Sequence, residues 1–89
     1  MKAVVTVVGE DKIGIIAGVS TILSECNANI MDISQTILQD YFTMMMLVDL
    51  SKVEMGLEEL KAQLQQTGKE LGVSIQIQHE DIFRSMHRI

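Results

Sequence analysis

Few side chains in this chain have the type and spacing for chemistry, and the densest group is Gly9-Glu10-Asp11-Lys12-Ile13-Gly14. It has the G-x-x-x-x-G outline of a phosphate loop, but the Lys and Ser/Thr that must follow are replaced by Ile15 and Ile16. Glu10 and Asp11 also put negative charge where phosphate would sit. Backbone N–H groups at a helix start still attract a carboxylate, and Asp11 can accept from an ammonium group. Carboxylate plus ammonium describes a free amino acid. The plainer role for Asp11 is to cap the helix; spacing alone leaves both open.

The other candidates are weaker. His79, Glu80 and Asp81 are adjacent and His87 follows eight residues on, a spacing that matches no strong metal motif. They read as a strand-end cluster and a tail histidine. Cys26 has no base nearby in sequence and reads as a buried helix-face thiol. Nothing places Asp32 and Asp49 together as an acid/base pair, and no Ser/His/Asp arrangement is present. Met44, Met45 and Met46 are core filler. The expectation is a protein without catalytic residues, metal or cofactor.

Around these residues stands one small domain. The chain has 89 residues, 47% of them hydrophobic, enough to fold but too short to enclose a deep cleft. A formal net charge of −5, and aromatics limited to Tyr41, Phe42 and Phe83, argue against direct nucleic-acid binding. A single cysteine excludes an intrachain disulfide. The chain opens directly on a strand-like run, and no apolar run reaches the ~18 residues of a membrane span. A cytoplasmic protein with no membrane contact is therefore expected.

Ala3–Val8 is β-branched and apolar on both faces, as a central strand is. Ile15, Ile16, Val19, Ile22, Leu23 and Cys26 follow with one-sided helical spacing. Gly18 inside that helix costs stability unless a neighbour approaches closely. Ile30–Gln39 mixes apolar Met31, Ile33 and Ile37 with polar Asp32, Ser34 and Thr36, as a half-exposed edge strand does. Phe42–Leu50, apolar almost throughout, is its hairpin partner and a second central strand. Ser51-x-x-Glu54 has capping-box spacing for a second helix carrying Leu57, Leu60, Leu64 and Leu71 inward. Gly56 sits within that start and is consistent with one a turn later, and Gly72 suits C′. Val73, Ile75 and Ile77 then alternate with polar residues as a one-sided strand.

The order β-α-β-β-α-β predicts an α+β, ferredoxin-like two-layer sandwich: a four-stranded antiparallel sheet with two helices on one face. Residues 1–79 form the domain. Residues 80–89 form a short C-terminal helical tail in which Asp81 caps a helix bearing Ile82, Phe83, Met86 and Ile89. Met45 and Leu47 point away from Phe42, Met44, Met46 and Val48, so the sheet's open face is apolar as well. The tail or a neighbouring subunit is expected to cover it.

The run Val4-Val5-Thr6-Val7-Val8-Gly9-Glu10-Asp11-Lys12-Ile13-Gly14-Ile15, the helix after it, Asn29-Ile30-Met31-Asp32 and the element order together resemble the ACT domain family over about residues 2–79. The likeness is to small stand-alone members related to the glycine-cleavage repressor type, which the tail ending Met86-His87-Arg88-Ile89 also resembles. Many ACT domains carry proline before the turn glycine, where this chain has Ile13. The resemblance implies side-by-side pairing into an eight-stranded sheet as a homodimer or higher homo-oligomer. A small-molecule ligand, an amino acid, then lies between the first loop of one copy and the second strand of the other. Carried over, Asp11, Lys12, Ile13, Gly14 and Ile15 form one wall, and Asn29, Ile30 and Asp32 the other. The implied activity is regulatory, read out through assembly or a protein partner. The alternative is a ligand-independent interaction and assembly module.

Overall fold

The computed structural model describes residues 1–10 and 13–86, the last of these by its backbone alone. It contains β1 (Lys2–Glu10), α1 (Ile15–Glu25), β2 (Asn29–Leu38), β3 (Tyr41–Asp49), α2 (Leu57–Leu71), β4 (Val73–His79) and α3 (Glu80–Met86). The strands form one antiparallel sheet in the order β2-β3-β1-β4. The two strands that read as apolar throughout, β1 and β3, are the central ones, and the expected ferredoxin-like sandwich is the fold.

Strand alternation sends Ala3, Val5 and Val7 of β1, and Phe42, Met44, Met46 and Val48 of β3, to the helix side. There they meet Ile15, Val19 and Leu23 of α1 and Leu60 and Leu64 of α2, all buried. A fully buried core of aliphatic and methionine side chains, with no buried polar residue among the described ones, drives folding through apolar burial. Gly18 is where the helices touch: a Cβ there would lie 2.9 Å from Leu71 Cδ1.

Three local details differ from the sequence reading. α2 starts at Leu57, with extended Gly56 as N-cap and no side-chain cap, so Ser51-x-x-Glu54 is not a capping box. The N–H of Ser51 instead donates to Asp49 Oδ1 at 2.9 Å, closing the turn after β3. Asp81 does not cap α3 either; its own N–H donates to His79 Nδ1 at 3.1 Å, and the helix begins at Glu80. Finally, the β2–β3 register jumps between Ile30, opposite Val48, and Asp32, opposite Leu47. Met31 is thus a bulge residue rather than a member of the Ile33/Ile37 row.

α3 lies over β1 and β4, and Phe83 shares a shallow groove with Val4, Met45 and Leu47 on the open face. It covers the Val4 end of that face, while Val8 at the other end is 44% exposed. Among the described residues no helix is long and apolar enough to cross a membrane.

Candidate ligand-binding site

The end of α1 is shaped by a backbone motif. The N–H of Ala28 donates to the Leu23 carbonyl at 2.9 Å and that of Asn27 to the Ser24 carbonyl at 3.0 Å, with Asn27 left-handed at φ 62°. This is a Schellman stop with asparagine in the glycine role, and it packs Ala28 back on Leu23. The chain then turns straight into β2 at Asn29, which pairs with Asp49 at the end of β3.

Between the α1 end, the start of β2 and the turn after β3 lies an open groove of about 660 Å³. Ser20 and Ser24 form one wall, Asn27–Ile30 the floor, and Asp49, Ser51 and Lys52 the far wall. The Ser51 backbone N–H and its hydroxyl hold the Asp49 carboxyl below the usual carboxylate range, and the Met1 ammonium and Lys2 act in the same direction. Asp49 is thus an anion throughout the neutral range.

Asn29 and Ile30 of the predicted set line this groove; Asp32 does not. Across the bulge it faces the open side, in the smaller groove with Val4, Met45, Leu47 and Phe83, and its Oδ1 accepts the Ile33 N–H at 2.9 Å. Ile13 projects fully into solvent at 105% relative exposure. Gly14 is the N-cap of α1 at φ 92°, a left-handed conformation that favours glycine. The Ile15 side chain is in the core, 2% exposed, so only its backbone can meet a ligand. Asp11 and Lys12 lie outside the described residues.

Strand register sets the two ends of the sheet apart. Glu10, Tyr41 and Leu38 stand in one row at the loop end of the sheet, and Lys2, Asp49 and Asn29 in one row at the other. Within one copy these two rows are roughly 26 Å apart, at ~3.3 Å per residue along β1. Ser20, Ser24, Asn27, Ser51 and Lys52 were not legible as site residues. The one available signal was Ser20 and Ser24, four apart on the polar side of α1.

Elsewhere the chemistry is structural. The Cys26 thiol donates to Gln63 Oε1 at 3.4 Å, and burial, with the charges of Glu25 and Glu59, pushes its pKa up. Among the described residues no three His, Cys, Asp or Glu side chains stand together as a metal site; His87 lies outside them.

The ACT domain family model matches residues 2–78. A UPF0237 protein of Clostridium acetobutylicum is 60% identical over 89 residues, covering all of both chains. The chain belongs to the ACT domain family. The solved ACT domain protein from Streptococcus pneumoniae superposes with a TM-score of 0.83 at 48% identity, over 93% of each chain. A structure described as a glycine cleavage system transcriptional repressor shares the fold, with a TM-score of 0.75 at 23% identity, over 89% of this chain and 47% of that one.

This ACT domain carries an unpaired apolar edge. On β2, Met31, Ile33, Ile37 and Leu38 are 47%, 43%, 58% and 71% exposed. Beside it, α1 has no charged residue before Glu25 and exposes Ile16 and Ala17.

Proposed function

We propose that this ACT domain is a cytoplasmic, non-catalytic regulatory module that binds an amino acid at the interface of a homodimer formed through β2. The observation that carries the reading is the apolar β2 edge, whose ends stand in the rows of Glu10 and of Asp49. A bare edge strand with exposed isoleucines invites strand pairing. Two β2 strands paired antiparallel about a twofold axis set the loop end of one copy beside the Asn29 end of the other. Asp11, Lys12, Ile13 and the N–H groups of Gly14 and Ile15 then face Asn29 and Ile30 of the second copy, with Asp32 just beyond the bulge. Neither copy holds the ligand alone, so ligand binding favours the pair by linkage. A partner protein, or assembly itself, reads that shift.

Thermal unfolding against each of the twenty amino acids, with oligomer mass measured in parallel, tests the reading. A stable dimer and a melting-point rise for one or a few amino acids are expected; a monomer at every concentration refutes it. The same β2 edge also supports a second reading, assembly without a ligand, which a stable dimer with a flat amino-acid response selects.

A further inference from the structure

The groove at the Asn29 end differs from two others on the described surface. The groove between α2 and β4 carries only one charge, Lys69, among glutamines, and the open-face groove is apolar with Asp32 at its rim. The Asn29 groove, unlike those two, brings both signs together, through Asp49 and Lys52. They are not spent on each other: no ion pair engages either among the described residues, and the Ser51 N–H and hydroxyl still leave about half of the Asp49 acceptor capacity open. No hydrogen bond engages the side-chain amides of Asn27 and Asn29 among the described residues.

We propose that this groove is the Asn29-side half of the shared site, and that Asp49 there takes the ammonium group and Lys52 the carboxylate of a small α-amino acid. The inference deepens the proposed amino-acid reading and rests on it, but it assigns charge recognition to two residues outside the walls implied by family resemblance. The net charge of −5 disfavours a bare anion and leaves a neutral zwitterion unpenalised. Lys52 reaches on a flexible stem, and the Asn27 and Asn29 amides each offer donor and acceptor. Selectivity follows from the remaining lining. Ser20, Ser24 and Ala28 are small, and Ile30 is the one sizeable apolar side chain. A short polar or absent ligand side chain fits; a large apolar one gains no burial.

Isothermal titration of the full chain with glycine, serine, leucine and phenylalanine tests this, using wild type, Asp49→Asn, Lys52→Gln and, as control, exposed Lys61→Gln. Asp49→Asn keeps an oxygen for the Ser51 N–H, and Lys52 is exposed, so both variants are expected to stay folded with cooperative urea transitions, Asp49→Asn losing only the charge-dependent part of that bond. Glycine or serine is expected to bind at least tenfold more tightly than leucine or phenylalanine. Each of Asp49→Asn and Lys52→Gln is expected to weaken binding tenfold or more, and Lys61→Gln to leave it unchanged. Wild-type affinity in both site variants overturns the assignment while leaving amino-acid binding intact. Equal binding of serine and leucine overturns the selectivity. No binding of glycine or serine by wild type overturns the site, and a thermal-unfolding response flat across all twenty amino acids takes the underlying reading with it.

Discussion

Gly68 of α2 stands directly against the carbonyl oxygen of Val73 in β4: a Cβ on Gly68 would lie 2.7 Å from that oxygen and 3.3 Å from Ile75 Cγ1. In an exposed helix interior, replacing glycine by alanine gains about 1 kcal/mol. Here the added methyl meets backbone, which cannot rotate away, and overpacking costs about 1–3 kcal/mol. Gly68→Ala is therefore expected to lower stability by about 1 kcal/mol net, read as a lower urea midpoint. Gly18→Ala meets the movable end of Leu71 instead, so its loss is expected to be smaller. A midpoint for Gly68→Ala at or above wild type contradicts the close approach.

Leu64 and Ile13 show how placement outweighs residue type. Leu64 is completely buried between α2 and the sheet, while Ile13 is 105% exposed at the tip of the β1–α1 loop. Leu64→Ala is expected to cost about 2–5 kcal/mol through lost burial and a residual cavity. Ile13→Ser is expected to stay within about 0.5 kcal/mol of wild type. Both are read from denaturant unfolding, and a large loss for Ile13→Ser would mean the loop tip packs on something in solution.

Most of the scaffold is legible in the residues because periodicity and burial agree there. The continuous apolar runs of β1 and β3 mark central strands, the i, i+4, i+8 spacing of Ile15, Val19 and Leu23 marks the buried stripe of α1, and Gly72 stops α2 at φ 76°. Capping is less legible: Ser51 and Asp81 have the right type and spacing, but Asp49 takes the Ser51 N–H and His79 takes that of Asp81. The bulge at Met31 leaves no trace in composition, yet it puts Asp32 in a different groove from Asn29. Asp49 and Lys52 reach the Asn29 groove through a tertiary turn, so no local pattern announces them.

Asp49 and Cys26 contribute to opposite limbs of the pH–stability profile. The Asp49 carboxyl has a lowered folded pKa from its bonds to Ser51. The stability it contributes is fully present above the unfolded value of ~3.9 and is lost as pH falls through the folded one. The Cys26 thiol has a raised folded pKa, chiefly from burial. Its effect is absent below the unfolded value of ~8.5, and stability declines as pH rises past it, because the unfolded chain releases that proton more readily. Chemical denaturation across pH is expected to show a shallower acid decline for Asp49→Asn and a shallower alkaline decline for Cys26→Ala. Profiles parallel to wild type would dissociate both groups from the pH dependence.

Ile37 separates folding from association. It lies opposite Phe42 on the unpaired β2 edge and is 58% exposed, so a lysine there can extend into solvent without opening the core. Monomer stability is expected to change by no more than about 0.5 kcal/mol. In a twofold pair each substitution enters twice, and a charge on an edge strand is a standard obstacle to strand pairing. Ile37→Lys is therefore expected to raise the dimer dissociation constant at least tenfold, measured by sedimentation equilibrium over a hundredfold concentration range. Thermal unfolding of the dilute variant should match that of dilute wild type. An Ile37→Lys chain as tightly dimeric as wild type would place the subunit contact elsewhere, the open sheet face around Val8 and Met45 being the next apolar surface to test. It would also remove the antiparallel pairing on which a site shared between copies depends.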